Sequence, residues 1–408
     1  MNTRPTRRFL PLLIYLLPLI ADMLVAQFIF INAVRLARAG ASASVVANTL
    51  TVWSLAYLIT CPVIGRFVSA SNAAHMMVGS MGGFLLIGLL FTVIPGVAGV
   101  YVLMAAAGIA AAFFFTPFQI FMKAVDGLTQ KPITYSTGLY TFSWSAGYAL
   151  GPFVSGFLMD RGVATPDGAT SGWKYACYFA AGAAVVTGVC IVLLKHLAQG
   201  KPQEALANTD DLVSRPVADY SHQPDLAWMG WVSGGVGMVA ITFIRAVFPA
   251  RVEACLHLTQ SMQGFLFFLV SASQAITGLV LCRSRYWMYR PTAVAAFGCL
   301  GIIGLLIFGF SQTPLAFSIG AVLFGLYSGS FFFYLVFHSL VHPRRSAQYV
   351  AINETVVGIC GMVGAIVGGG LADRFGFGLV YAAGAALVLL VMVLQGTIHS
   401  TRSGQFSN

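Results

Sequence analysis

The chain has 408 residues, of which 58% are hydrophobic and only 8% are charged, and its mean hydropathy is +0.84. This is too few charged side chains to cover the surface of a water-soluble protein of this length. The composition therefore excludes a soluble protein and indicates an integral membrane protein. The net charge of +10 does not indicate a nucleic-acid partner, because Lys and Arg lie at the ends of apolar runs rather than on one basic face.

The first apolar run begins near Phe9, after a basic stretch from Arg4 to Arg8, and continues past Asp22 to Ile31. A basic stretch before an apolar run is also the pattern of a secretory signal, but this run is longer than the apolar core of such signals. The sequence therefore predicts an uncleaved first membrane span.

Apolar runs of about twenty residues recur along the chain and predict membrane helices, because barrel strands would alternate over about ten residues. Each of the first six runs is one predicted span: Phe9–Ile31, Val45–Phe67, Ala74–Ile94, Val100–Met122, Gly138–Met159 and Trp173–Leu194. Six more follow: Ala227–Phe248, Gln260–Cys282, Thr292–Phe310, Leu315–Phe337, Ala347–Leu371 and Phe377–Gln395. The prediction is an all-α polytopic membrane protein with about twelve transmembrane helices.

Residues 198–225 separate the sixth span from the seventh and are polar, with five acidic residues and three prolines. This composition is typical of a solvated linker, and a docking segment for a partner is the alternative. We therefore divide the chain into an N-terminal six-helix bundle at 1–197, a linker at 198–225 and a C-terminal bundle at 226–408.

Twelve spans place both termini and the linker on one side, and that side carries most of the Lys and Arg residues between the spans. Basic loops are retained on the cytoplasmic side of a membrane. We expect a multi-pass protein of a cell membrane, such as the bacterial inner membrane, with both termini in the cytoplasm.

The two halves of the sequence repeat each other. Gly108–Arg161 contains three consecutive Phe, a Gly-rich helix and GFLMDRG, and Gly325–Arg374 contains three consecutive Phe, a Gly-rich helix and GGLADRFG. Parallel repeats of this kind are one way in which secondary transporters are built.

The fifth span contains the stretch GYALGPFVSG, from Gly147 to Gly156. Gly147, Gly151 and Ser155 are spaced by four residues and share one helix face, which lets another helix backbone approach closely in lipid. Pro152 lies beside this face and lacks an N–H, so we expect the helix to bend there. The stretch predicts a packed hinge.

This stretch resembles motif C of the major facilitator superfamily, G-x-x-x-G-P-x-x-G-G, with Ser155 in place of the first glycine of the final pair. The resemblance extends to the repeat and the twelve spans. It implies two pseudo-symmetric six-helix bundles and transport by alternating access, and motif C is commonest among exporters and antiporters of that family.

Two features depart from the family pattern. The stretch Gly65–Asn72, which corresponds to motif A, has Ser69 where the family has an aspartate, and its second copy at Gly278–Arg285 also lacks the acid. The fourth span has Met104 near the place where drug antiporters carry an arginine. These departures weaken the expectation of the family's cytoplasmic gate and of a multidrug exporter.

Charged residues inside apolar spans are costly and are candidates for function. Asp22 lies about fourteen residues into the first span, past the membrane midplane, and removal from water favours the protonated form of a carboxyl group. We expect Asp22 to bind a proton, with a static ion pair as the alternative. Arg245 either pairs with Asp22 as an outer gate or binds an anionic substrate, and Glu354 either binds a second proton or pairs with Arg344 or Arg345.

Polar and aromatic side chains within the spans are candidates for lining a substrate cavity, and helix-to-helix bonding or packing is the alternative for each. These candidates are Gln27, Gln119, Tyr140, Trp144, Gln274 and Asn353.

The sequence predicts no metal, cofactor or disulfide. His338 and His342 are four residues apart but are followed by Pro343 and have no third ligand nearby, and the seven Cys are scattered with no CxxC. There is no Walker A loop, Ser-His-Asp arrangement or HExxH, so we expect neither an ATP-driven pump nor an enzyme.

The prediction is a secondary transporter of a small organic solute, coupled to protons, in contact with membrane lipid and monomeric. The first alternative is a proton-independent facilitator or lipid flippase of the same fold, which the scarcity of buried acids would suit. The second is a transport-inactive sensor or scaffold, with which the loss of both motif A acids is compatible.

Overall fold

The computed structural model describes residues 6–69, 71–126, 133–162, 171–198, 227–283, 287, 290–340 and 346–405, without the side chains at several helix ends. All the regular elements in these ranges are helical, and we number the twelve membrane helices in chain order. The first six are α1 (Thr6–Arg38), α2 (Ala43–Phe67), α3 (Ala73–Phe91), α4 (Gly96–Asp126), α5 (Ile133–Asp160) and α6 (Gly172–Ala198). The second six are α7 (Ala227–Leu256), α8 (Gln260–Arg283), α9 (Pro291–Phe310), α10 (Pro314–Leu340), α11 (Ser346–Phe375) and α12 (Phe377–Gln405).

Eleven of these helices, all except α5, are long and apolar enough to cross a membrane over their described residues. α5 is less apolar because it carries the hydroxyl side chains of Thr141, Ser143, Ser145 and Ser155, and all four are buried inside the protein. The twelve predicted helices and their order are confirmed. The linker at 198–225 lies almost wholly outside the described residues.

The seventh helix is longer than predicted. The predicted span ends at Phe248, but the chain remains helical through Pro249 to Leu256. Two π-helical turns, Phe243–Val247 and Val252–Leu256, flank the proline. A π turn widens the helix locally and so accommodates a residue that cannot donate the usual backbone hydrogen bond.

The helices form two halves, α1 to α6 and α7 to α12, that contact each other along two equivalent seams. α5 packs along α8, and α2 packs along α11. Since α5 corresponds to α11 and α2 to α8 in the repeat, a pseudo-twofold axis relates the two seams. α1, α7 and α10 are the most buried of the helices that qualify as spans.

We call the side of the bundle where α1 begins the terminal side, and the side where α1 ends the distal side. The distal ends of the two halves are joined by two acidic side chains. Asp160, at the end of α5, accepts hydrogen bonds from the backbone N–H groups of Gln260 (3.2 Å) and Ser261 (2.7 Å) at the start of α8. Asp373, at the end of α11, accepts from Ala43 (2.8 Å) and Ser44 (3.0 Å) at the start of α2.

Candidate functional site

Asp22 is the central residue of α1, which runs from Thr6 to Arg38. The sequence placed it past the midplane because the apolar run was taken to end at Ile31, and that depth stays a prediction. The helix continues through the sequence NAVRLAR, so Asp22 lies midway along it. Its side chain is 9% exposed, and among the described residues nothing donates a hydrogen bond to it.

Arg245 lies in the first π-helical turn of α7. Its guanidinium carbon lies 3.9 Å from the ring centroid of Tyr148 on α5, which is a cation–π contact. Nη2 of Arg245 is inaccessible to solvent and has no hydrogen-bond partner among the described residues. Arg245 lines a cavity of about 10 Å³ formed by α1, α5, α7 and α8, near the smallest volume that holds one water.

Asp22 and Arg245 interact electrostatically across the two halves, but no ion pair within 4.0 Å joins them. The direct pair that we considered as an outer gate is therefore not formed in this structure. An ion pair between the same two helices is formed by other residues: Arg38 Nε lies 3.3 Å from Glu253 Oε1 near the distal ends of α1 and α7.

Glu354 lies on α11, where its electrostatic neighbours include Asp22 and, on α2, Tyr57 and Cys61. Its carboxylate therefore belongs to the same interior region as Asp22. Arg344 and Arg345, its predicted partners, lie outside the described residues, as does the side chain of Gln119.

Three aromatic side chains follow one another at four-residue spacing along α5. Tyr140 stacks with Phe118 of α4 at 6.1 Å, and Trp144 contacts the ring of Phe332 on α10 edge-on at 4.9 Å. Tyr148, one turn further, lies against Arg245. The first two were predicted and Tyr148 was missed, although its four-residue spacing from Trp144 was a signal in the sequence.

Gln274 and Asn353, both predicted to line the cavity, have their hydrogen bonds within the protein. Gln274 on α8 donates to Ser145 Oγ of α5 (2.7 Å) and accepts from Ser328 Oγ of α10 (2.5 Å). Asn353 on α11 accepts from Trp231 Nε1 of α7 (2.7 Å). Asn353 also accepts from Ser339 of α10 and donates to the Leu335 carbonyl.

Gln27 differs from those two residues. It is fully buried, and neither its amide nitrogen nor its amide oxygen has a hydrogen-bond partner in the described part of the chain. Its backbone nitrogen faces Gly151 of the Gly-Pro segment. Among the predicted cavity residues it keeps free hydrogen-bonding capacity.

The Gly-Pro segment of α5 is packed between the two halves. Gly147 and Gly151 abut the backbone carbonyls of Leu19 and Met23 on α1, and a Cβ on either would collide with them. Gly156 abuts the carbonyl of Gln260 on α8, and Pro152 abuts Gly264 of α8. α5 continues as a helix through Pro152. The close backbone approach expected from the glycine spacing is present, and hinge motion stays a prediction.

Aromatic side chains cover the region of Asp22 and Arg245 on its distal side. Phe30 of α1 and Phe267 of α8 meet edge-on with their ring centroids 5.6 Å apart. Phe248 of α7 contacts Phe267 at 6.2 Å. The Arg38–Glu253 pair lies beyond these rings, so the centre is closed from the distal side.

Among the described residues, no three His, Cys, Asp or Glu side chains lie close enough together to hold a metal ion. His342 of the predicted His pair lies outside them. The described cysteines are free thiols.

Comparisons with known proteins agree on the family. The model of the Major Facilitator Superfamily matches residues 14–253. A comparison with curated proteins gives no match.

Crystal structures of transporters share the fold at low sequence identity. A mutant of the nucleoside transporter NupG is 12% identical with a TM-score of 0.65, and the match covers 94% of this chain and 98% of that chain. NupG itself is 10% identical with a TM-score of 0.64, over the same shares of the two chains. The human organic anion transporter MFSD10 (TETRAN) is 13% identical with a TM-score of 0.61, over 96% of this chain and 100% of that chain. The family match over more than half of the sequence, on this fold, means that the chain belongs to the major facilitator superfamily and is a multi-pass membrane transporter.

Proposed function

We propose that the protein is a secondary active transporter of a small organic solute, and that a proton bound at Asp22 is coupled to solute movement. The observation that supports this most directly is a carboxylate at the middle of α1, buried and without a direct ionic partner. Intramembrane carboxylates of this kind mark proton and substrate pathways.

The closed distal side suggests how access alternates. The aromatic contacts of Phe30, Phe248 and Phe267 and the Arg38–Glu253 pair separate the centre from the distal side. Rocking of the two halves about the α5–α8 and α2–α11 seams would part these contacts and close the terminal side in turn.

Proton binding would change the balance of charge at the centre. Ionised Asp22 attracts Arg245 across the two halves, whereas protonated Asp22 leaves that guanidinium uncompensated. A proton therefore alters the electrostatic attraction between α1 and α7, which lie in different halves, and so couples protonation to the movement of the halves.

The test is solute-driven proton movement in proteoliposomes that contain a pH-sensitive dye. The solutes include nucleosides and organic anions, because NupG and MFSD10 are described as transporters of these, together with sugars and organic cations. We expect at least one class to move protons in the wild type and Asp22→Glu, and not in Asp22→Asn.

Other outcomes point to the alternatives. Solute movement without protons in the wild type would make the protein a facilitator. Proton flux that survives in Asp22→Asn would remove Asp22 from the coupling and direct attention to Glu354. A folded protein that moves none of the solutes would contradict the proposal and leave the flippase and sensor alternatives.

A further inference from the structure

We propose that Arg245 binds the solute directly and that this solute is an organic anion carried in the same direction as the proton. This assignment rests on the transport function proposed above, since it names the substrate class of the same site.

Arg245 has unused hydrogen-bonding capacity. A buried N–H group of a guanidinium is costly unless it is bonded. Here the face of the group lies on the Tyr148 ring, but among the described residues Nη2 has no partner and no carboxylate lies within 4.0 Å of the guanidinium. A planar guanidinium with an unbonded N–H group is suited to carboxylate or phosphate.

A small cavity lies beside the Arg245 side chain. It is lined mainly by apolar residues of α1 and α8, together with Ser271 of α8. Tyr148 continues the aromatic row of Trp144 and Tyr140 along α5, which offers an apolar surface for the body of the solute. At about 10 Å³ the cavity admits no solute in this state, so we infer that α5, α7 and α8 separate when the solute enters.

The charged groups around Asp22 set the direction of coupling between proton and solute. The charged and titratable groups that face Asp22 from the neighbouring helices are Arg245 on α7, Glu354 on α11 and Tyr148 on α5. Ionised Asp22 and an anionic solute compete for the single positive charge of Arg245. A proton on Asp22 removes the competitor, so proton and anion favour each other's binding, as linkage requires.

A cationic solute would give the opposite coupling, because it would compete with the proton for Asp22. The charge of the solute thus decides between symport and antiport. The geometry at Arg245 points to anion symport, in contrast to the exporters and antiporters in which motif C is commonest.

The test compares solutes of one shape and three charges. Binding to the purified full-length protein is measured by calorimetry at pH 5.5 and 7.5 with three series: benzoate, benzamide and benzylamine; indole-3-acetate, indole-3-acetamide and tryptamine; butyrate, butyramide and butylamine. We expect the anion of at least one series to bind about tenfold or more tightly than its amide, since a hydrogen bond to a charged group has that strength. We also expect tighter anion binding at pH 5.5.

Substitutions test which residues cause the preference for the anion and its pH dependence. Arg245→Gln should abolish the preference for the anion, and Arg245→Lys should retain part of it. Arg251→Gln is the matched control: Arg251 also lies on α7 and its Nη1 is likewise buried without a partner among the described residues, but its Nη2 donates to the Ser311 carbonyl near the distal end and it does not line the cavity. Asp22→Asn should keep tight anion binding and lose its pH dependence.

Preference for an amide or amine, absence of anion binding to the folded protein, or an unchanged preference in Arg245→Gln would each overturn the anion assignment. Proton-coupled flux of a neutral or cationic solute would do the same while leaving the transport function standing. Anion binding that depends on Arg245 without flux would support the anion site and contradict the transport function instead.

Discussion

At the centre of the protein, charged side chains lie beside helices whose backbones are in close contact. Asp22 and Arg245 face each other without a direct ion pair, and within one turn of Tyr148 the glycines of α5 abut the backbone of α1. A small change in the distance between α1, α5 and α7 would therefore alter the electrostatics of the centre.

Gly151→Ala should destabilise the protein. A Cβ at this position would lie 2.5 Å from the carbonyl oxygen of Met23 and 3.0 Å from the backbone nitrogen of Gln27, and backbone atoms cannot rotate away. We expect a loss of about 1–3 kcal/mol, the usual effect of overpacking, seen as a lower melting temperature in detergent. Gly182→Ala on α6 is the control, since nothing lies within 4 Å of its added Cβ. Equal melting temperatures for the two variants would contradict the close contact.

Gln274→Met separates the two roles considered for Gln274. The side chain bridges Ser145 and Ser328 across the halves, so its loss should leave two buried hydroxyls without a partner and lower stability by about 1–3 kcal/mol. If the role is only structural, the KM of the solute should stay within about twofold, measured by uptake into proteoliposomes. A large rise in KM at unchanged stability would make Gln274 a substrate contact.

At the scale of helices, α5 and α11 carry the same pair of residues near their distal ends, a glycine and an aspartate. Each carries a glycine four residues before its final aspartate, Gly156 before Asp160 and Gly369 before Asp373. The glycine lets the partner helix of the other half approach, and the aspartate accepts two N–H groups from that helix's first turn. A carboxylate is favoured there because a helix N-terminus carries partial positive charge.

The double variant Asp160→Asn and Asp373→Asn should open the distal side more often, because each substitution removes the negative charge and one acceptor oxygen. A cysteine introduced as Gln263→Cys, in a Cys255→Ser background, reports this opening by its reaction with a membrane-impermeant maleimide. Gln263 is fully buried in the closed structure, and Cys255 is exposed on the same side. We expect the reaction to accelerate severalfold.

The double variant Asp160→Glu and Asp373→Glu keeps both carboxylates and is the control for that experiment. Its labelling rate should lie closer to the wild type. Equal rates in the Asn variant and the wild type would show that the two aspartates do not hold the distal side closed.

At the scale of the whole molecule, the two halves contact each other directly along both seams, through α5 and α8 and through α2 and α11. Residues 1–197 and 226–408, expressed as separate chains in one cell, should therefore associate. The linker mainly raises the effective concentration of one half around the other. Co-purification of the second half with a tagged first half measures this, and recovery of two folded halves that do not bind each other would contradict it.

The sequence alone predicts the number of helices, their order and their approximate ends, because membrane spans are set by the length and apolarity of local runs. It also identified Gly147 to Gly156 as a site of close backbone contact, because the spacing of small residues is a local property. Its errors were local as well: the first span was predicted to end at Ile31 and the seventh at Phe248, whereas α1 continues to Arg38 and α7 to Leu256.

The hydrogen-bond partners of the polar side chains, in contrast, follow from the packing of the helices and are not predictable from the sequence. Gln274 and Asn353 are bonded within the protein, whereas Gln27 and Arg245 retain buried atoms without one, and nothing in their sequence neighbourhoods distinguishes these two groups. The same holds for the ion pair across the halves, which is Arg38–Glu253 rather than Asp22–Arg245. Such pairings join residues that are distant in the sequence, 129 positions apart for Ser145 and Gln274 and 215 for Arg38 and Glu253, and their distances are fixed by how the helices pack, a property of the whole chain.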